Sequence, residues 1–270
     1  MDTTCLYLGE LGARSNAGEL NLFVVQDFTD LAEYSRFKFG DSSVGRKYGN
    51  MLGGLVLNEA ADLLVSDQIF VASSAYRTAP PASQCLISPF IEAARSAASS
   101  ANSRPTFTHF KISKRTLAHN NYAALSFKER SRTLQSDLTL PEDLSLKGQR
   151  VIILDDIRVT GLREAALRML LEAEAVEHVS FYYVLNVPQG GILPQAEALI
   201  NMRSVKSIDD IIGLAMEPGF IPNIRLCKFL LALGEQSRER FFATVPKAAV
   251  DLVLHYIKAD NLEDVVKAVP

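Results

Sequence analysis

Two hydrophobic periods divide the chain. Residues 4–8 and 21–26 (NLFVVQ) are short apolar runs that predict two strands, with a hairpin between them as one option. Residues 43–65, with MLGGLVLNEAADLLV at their centre, space apolar positions as a helix does. QIFVASS then reads as a buried strand, AYRTAPP breaks it, and residues 83–98 resume the helical period. TFTHFKI predicts another strand. Residues 113–146 are polar and weakly patterned, long for a simple connection, and such segments often serve as lids. Strand 150–154, helix 161–174 and strand 178–187 (HVSFYYVLNV) follow. Past Gly190 and Gly191 the strand signal stops, and residues 192–270 read as helical.

Strands alternating with helices predict an α/β fold: a mostly parallel sheet with flanking helices, plus a helical C-terminal subdomain. The expected division is 1–40 (N-terminal strands, a hood or an edge), 41–190 (the α/β core) and 191–270 (the helical subdomain).

One segment carries chemistry. In QRVIILDDIRVTGLREAALRML, residues 149–170, the apolar run Val151–Leu154 meets two adjacent carboxylates, Asp155 and Asp156. Ligands of open parallel sheets bind beyond the carboxyl ends of the strands. Side chains alternate along a strand, but a turn beyond its end can aim both acids outward. There they can accept hydrogen bonds from vicinal sugar hydroxyls or hold a hydrated Mg²⁺. RVTGL then turns through Gly161 into a helix, pointing backbone amides and the positive helix end at one spot, with the Thr160 hydroxyl beside them. Hydroxyl-binding acids just before a phosphate cup describe a ribose 5-phosphate site.

Composition narrows the classes. The chain has 270 residues, 48% hydrophobic, with a net charge of −3, which argues against general affinity for nucleic acid or anionic membrane. No apolar stretch is long enough to span a membrane, and the first residues do not pattern as a signal peptide, so a cytoplasmic protein is expected. Cys5, Cys85 and Cys227 read as reduced core residues, and the four histidines share no ligand spacing.

LKGQRVIILDDIRVTG resembles the phosphoribosyl-pyrophosphate (PRPP) motif of type I phosphoribosyltransferases. That motif is an apolar strand, two acidic residues, a variable pair, Thr-Thr-Gly, any residue, then Thr or Ser. Val159 stands at the first Thr and Arg163 at the small hydroxyl position. The resemblance, over about residues 40–187, implies that Asp155 and Asp156 hold the ribose as catalytic residues. It implies a 5-phosphate cradle of Arg158, Val159, Thr160, Gly161, Leu162 and Arg163. It assigns pyrophosphate to the loop FVASSAYRTAP, with Ser73, Ser74, Ala75, Tyr76, Arg77 and Thr78, where the family's basic-Gly pair is missing. A cationic hood is expected at 113–135, with Lys114, Arg115 and His119 as lid residues beside Lys128, Arg130 and Arg132. The implied function is a glycosyltransferase of nucleotide metabolism, moving 5-phosphoribosyl from PRPP to a small-molecule acceptor, a nitrogenous base in this family. Mg²⁺ is the implied cofactor, bridging ribose hydroxyls and pyrophosphate and not held by protein alone. A homodimer is left open.

Plainer readings compete at each position. The acids also suit a solvated strand end or a phosphoacceptor receiver domain, but no later strand ends in Asp near 195–215. The Ser-rich loop also suits an ordinary helix-capping turn, and the basic segment a solvated face. His109 reads as core, and Tyr182 and Tyr183 as sheet packing. Asn186 falls on the ligand side, and FKFGDSSVGRKYG (37–49) reads either as an approach to the site or as a loop entering a helix. A non-catalytic PRPP or nucleotide sensor, and a hydrolase or phosphorylase of a ribosyl phosphate, are the alternative functions.

Overall fold

The computed structural model describes residues 1–16, 19–24, 30–59, 67–116, 126–188 and 196–263. The first half of the chain runs β1 (Asp2–Asn16), β2 (Glu19–Val24), α1 (Leu31–Lys38), α2 (Ser42–Glu59), β3 (Gln68–Ser73), a 3-10 turn (Ala82–Leu86), α3 (Ile87–Ser100) and β4 (Thr106–His109). The second half runs β5 (Ser113–Lys114), α4 (Phe127–Ser136), β6 (Leu138–Thr139), β7 (Arg150–Arg158), α5 (Leu162–Ala173) and β8 (His178–Asn186). Five helices close it: α6 (Ala196–Asn201), α7 (Ile208–Ala215), α8 (Ile224–Ala232), α9 (Glu235–Thr244) and α10 (Lys247–Ala259).

Six strands form one sheet in the order β2-β1-β8-β7-β3-β4. Every pairing is parallel except β2 on β1, as the alternation of strands and helices requires. The N-terminal strand belongs to this sheet: β1 runs beside β8 from Asp2 to Glu10. β7 and β3 run parallel, but the order in which successive strands join the sheet reverses between them, so the switch-point crevice opens at their carboxyl ends.

Strand alternation sorts the core into two layers. Ile152, Leu154 and Tyr182 face α2 and α3, where Phe90 meets Tyr182 edge-on at 5.3 Å between ring centroids. Val151, Ile153, Phe181 and Tyr183 face α5 through Leu167, Leu170 and Leu171. A third cluster, including Val205, Leu226, Leu230, Phe241 and Val253, holds the C-terminal helices together and takes in Phe39. The Ile221 amide bonds the Gly40 carbonyl at 2.9 Å and the Ile224 amide bonds the Pro80 carbonyl at 2.9 Å. The Asp260 carboxylate, 1% exposed, accepts from the Thr78 and Ala79 amides at 3.0 Å each. Among the described residues no helix is long and apolar enough to cross a membrane.

Some expectations change. The polar stretch 113–146 holds the two-stranded pair β5–β6 and α4, whose start is a capping box between Ser126 and Glu129. His109 is exposed, because β4 is the edge strand and the residue closes it next to Gln84. Cys5 is exposed and Cys85 half-buried; only Cys227 is a core thiol.

α2 packs tightly on α3 through glycines four residues apart. A Cβ on Gly53 would stand 2.5 Å from the Phe90 carbonyl oxygen, and one on Gly49 would stand 2.6 Å from Pro89 Cγ. Gly54 faces open space. Gly53→Ala should therefore destabilise by about 1–3 kcal/mol despite alanine's helix preference, while Gly54→Ala should stabilise by about 0.5–1 kcal/mol. Urea unfolding of the two variants checks the opposite signs.

Candidate functional site

β7 does not stop at Leu154. It continues to Arg158, paired with β8 as far as Asn186, so the acidic pair lies inside the strand. Both carboxylates are 4% exposed. The expectation that a turn aims them outward is therefore corrected: pairing with β8 keeps the backbone extended, and alternation sends the two to different partners. Asp155 meets Arg163 of α5, whose Nη1 stands 3.2 Å from Oδ2. Asp156 takes a buried ion pair from Lys38 at the end of α1. Each also accepts a backbone N–H, Asp155 from Asp156 at 2.9 Å and Asp156 from Ile157 at 2.7 Å. Lys38 is itself buried; its Nζ lies 3.6 Å from Glu197, and its carbonyl accepts from Asn223, the N-cap of α8.

The elbow after β7 is Val159-Thr160-Gly161. Gly161 has φ 70°, a left-handed conformation natural to glycine, and leads into α5. Thr160 is exposed and accepts from the Leu162 amide at 3.4 Å. Val159 packs against the core. Arg158 folds back to Glu164 at 2.7 Å, and Glu164 is a buried hub that also takes Arg168 at 2.6 Å and the Tyr183 hydroxyl at 3.1 Å. α5 begins at Leu162, directly after this turn, with the unpaired first-turn amides that any helix start carries.

In the loop after β3, the Ser73 hydroxyl donates to Gln84 at 2.7 Å and Ser74 meets Ser83 at 3.1 Å, both buried. Lys111 donates to the Arg77 carbonyl and lies 4.5 Å over the Tyr76 ring.

A cleft of about 350 Å³ opens at the switch point. Of the expected site residues it gathers Ser74, Ala75, Tyr76, Arg77, Lys114, Asp156 and Arg163. Asp155, Arg158 to Leu162, Ser73, Thr78 and Arg115 do not line it; Arg115 is exposed, and its amide bonds the Asp137 carbonyl at 2.9 Å. His119 lies outside the described residues. Asn186, at the carboxyl end of β8, donates to Glu10 of β1 at 3.3 Å and does not line the cleft. The cleft also takes in Lys38, Glu197, Arg225 and Lys228, which sequence reasoning missed. Lys38 falls in the segment 37–49, which the sequence leaves open between an approach to the site and a loop entering a helix, and α8 carries no sequence signal beyond its helical period.

A sequence profile described as PRTase ComF-like matches residues 25–264. The chain belongs to the PRTase ComF-like family. No curated protein sequence matches it. Among solved structures, a hypoxanthine phosphoribosyltransferase from Staphylococcus aureus is 14% identical at a TM-score of 0.37, over 55% of this chain and 66% of that one. The chain thus spans just under two thirds of that enzyme's length. A hypoxanthine-guanine phosphoribosyltransferase from Bacillus anthracis gives 15%, 0.37, 58% and 76%. That of L. donovani gives 9%, 0.39, 60% and 77%.

The PRTase ComF-like match extends past β8 to residue 264, into helices that the motif resemblance had left out. The Mg²⁺ that the motif resemblance implies, expected not to be held by protein alone, can be tested against the donors present. Among the described residues no three His, Cys, Asp or Glu groups converge, and Asp155 and Asp156 already face Arg163 and Lys38. This donor set does not fit a protein-held Mg²⁺.

Burial pushes the Asp155 carboxyl up to about 6, Arg163 draws it back, and the charge on Asp156 adds to the rise. Burial acts on Asp156 too, but Lys38 and then Arg163 outweigh it and hold that carboxyl below its ordinary range. The fold therefore favours protonated Asp155. Its stabilisation is complete below its ordinary value of 3.8 and is lost as pH rises through about 6. The Asp156 contribution runs the other way, present above 3.8 and lost below its depressed value. The urea midpoint should accordingly show a rise from pH 7 to pH 5 in the wild type that is missing from Asp155→Asn. Lys38→Met strands a buried carboxylate and should cost about 3–5 kcal/mol at neutral pH, read from the same unfolding curves.

Proposed function

We propose that the cleft binds PRPP and that the protein transfers its 5-phosphoribosyl group to a nitrogenous base, releasing pyrophosphate. One observation carries this reading. The switch-point cleft sets six cations, Lys38, Arg77, Lys114, Arg163, Arg225 and Lys228, against two carboxylates, Asp156 and Glu197. In a protein of net charge −3, such a concentration suits a polyanion. Family membership supports phosphoribosyl chemistry in general.

In the transfer, the bond from the anomeric carbon to pyrophosphate breaks with its electron pair on the leaving group, and the acceptor nitrogen supplies the pair for the new bond. The transition state resembles an oxocarbenium ion, so orientation, charge neutralisation and exclusion of water do most of the work. The 5-phosphate extends from the cleft past Arg163 to the α5 amides and Thr160, which lie outside the cleft itself. Arg163, half exposed on its side chain, is free to leave Asp155 for a phosphoryl oxygen, which releases that carboxylate to the ribose hydroxyls. Lys38 keeps Asp156 ionised and fixed in orientation. No step is routed through a metal, given the donor set.

A second reading, binding without turnover in a regulatory role, is favoured by the same ion pairs, since both acids are already neutralised from within. Pyrophosphate release from PRPP with a panel of bases, run beside calorimetric PRPP binding, separates the two. Release with at least one base is expected. Binding without release for every base supports the regulatory reading, and no PRPP binding defeats both. Asp156→Asn should reduce kcat/KM for PRPP at least about tenfold, near 1.4 kcal/mol.

A further inference from the structure

The loop after β3 is poorly equipped for a diphosphate. Arg77 is its one basic side chain in the cleft, its serine hydroxyls are engaged with Gln84 and Ser83, and the Thr78 and Ala79 amides are capped by Asp260. Opposite this loop stands α8. The Ile224–Pro80 bond ties the start of α8 to the loop itself, and Asn223 ties it to the Lys38 backbone. Arg225 and Lys228, three residues apart, share one helix face, and both line the cleft.

We infer that Arg225 and Lys228 of α8, together with Lys114 and Arg77, form the seat of the ligand's diphosphate group. The C-terminal helical region then supplies the charge that the loop lacks. This rests on the reading that the cleft takes PRPP.

Two observations support the assignment. Arg77, Lys114 and Lys228 form no salt bridge among the described residues, and the one carboxylate near Arg225 is Glu197, at 3.3 Å and shared with Lys38. The cations also crowd one another. Burial lowers the Lys114 ammonium; Asp137 pushes it back up, while Lys228 and Arg163 depress it further. Lys228 is exposed as a residue, but partial desolvation of its ammonium at the cleft and then Arg225 lower it. A bound anion relieves that repulsion, and the gain is largest for the most highly charged group, which in PRPP is the diphosphate. The same cations oppose the negative charge that develops on the departing pyrophosphate.

Calorimetry with pyrophosphate, ribose 5-phosphate and PRPP tests the inference on the full chain, the Arg225→Ala/Lys228→Ala double variant and Lys228→Glu. Lys228 is exposed, so its reversal leaves the fold intact, and thermal melting checks both variants. Pyrophosphate and PRPP should bind at least about tenfold more weakly to the double variant, with ribose 5-phosphate within about twofold of wild type; Lys228→Glu should show the same pattern. Unchanged pyrophosphate affinity in either folded variant, an equal loss of ribose 5-phosphate, or no pyrophosphate binding to wild type overturns the inference. The two readings fail separately. Wild type that binds pyrophosphate through these cations but neither PRPP nor ribose 5-phosphate defeats the proposed function alone. PRPP binding that survives the double variant defeats this inference alone.

Discussion

Two neighbouring carboxylates sit inside a buried parallel strand, and much of the site follows from the need to neutralise them. Taking an ion out of water costs several kcal/mol even after relaxation, and adjacent like charges add to it. Alternation along β7 turns Asp155 toward α5 and Asp156 toward α1, so one cation cannot serve both equally. Arg163 answers the first and Lys38 the second. Lys38 brings with it the end of α1, and its carbonyl anchors Asn223 at the head of α8. The C-terminal helices are thereby drawn to the mouth of the sheet.

The two pairs differ in how readily they open. Lys38 and Asp156 are both buried, and breaking their contact would leave charge without solvent. Arg163 is half exposed, and its contacts with Asp155, 3.2 and 3.5 Å, are long for a charge-assisted bond. A phosphoryl group competes well for such a guanidinium. One pair is thus a fixed support and the other an exchangeable contact, an arrangement suited to a site that must hold its shape and still admit an anion.

Much of the fold was legible from period alone. QIFVAS, the TFTH edge strand and HVSFYYVLN fall where apolar runs placed them, and α5 begins after the Gly161 turn. The end of β7 was not legible, because acids following an apolar run look like a boundary; pairing with β8 carries the strand on, and the cations that neutralise its acids lie 118 residues away in sequence at Lys38 and 8 away at Arg163. α4 was missed because its sequence, FKERSRTLQS, offers little apolar face, although Ser126 and Glu129 spelled its cap. The cationic face of α8 was hidden for another reason. Arg225 and Lys228 look like any helix surface until the Ile224–Pro80 bond places them over the cleft.

The most direct measurement is a crystal structure of the full chain with PRPP bound. The 5-phosphate should lie on the α5 amides, with Arg163 moved from Asp155 to a phosphoryl oxygen, Asp155 on the ribose hydroxyls and the Lys38–Asp156 pair intact. Ligand lying outside the switch-point cleft, or lying in it with Arg163 still on Asp155 and the ribose touching neither acid, would contradict the account.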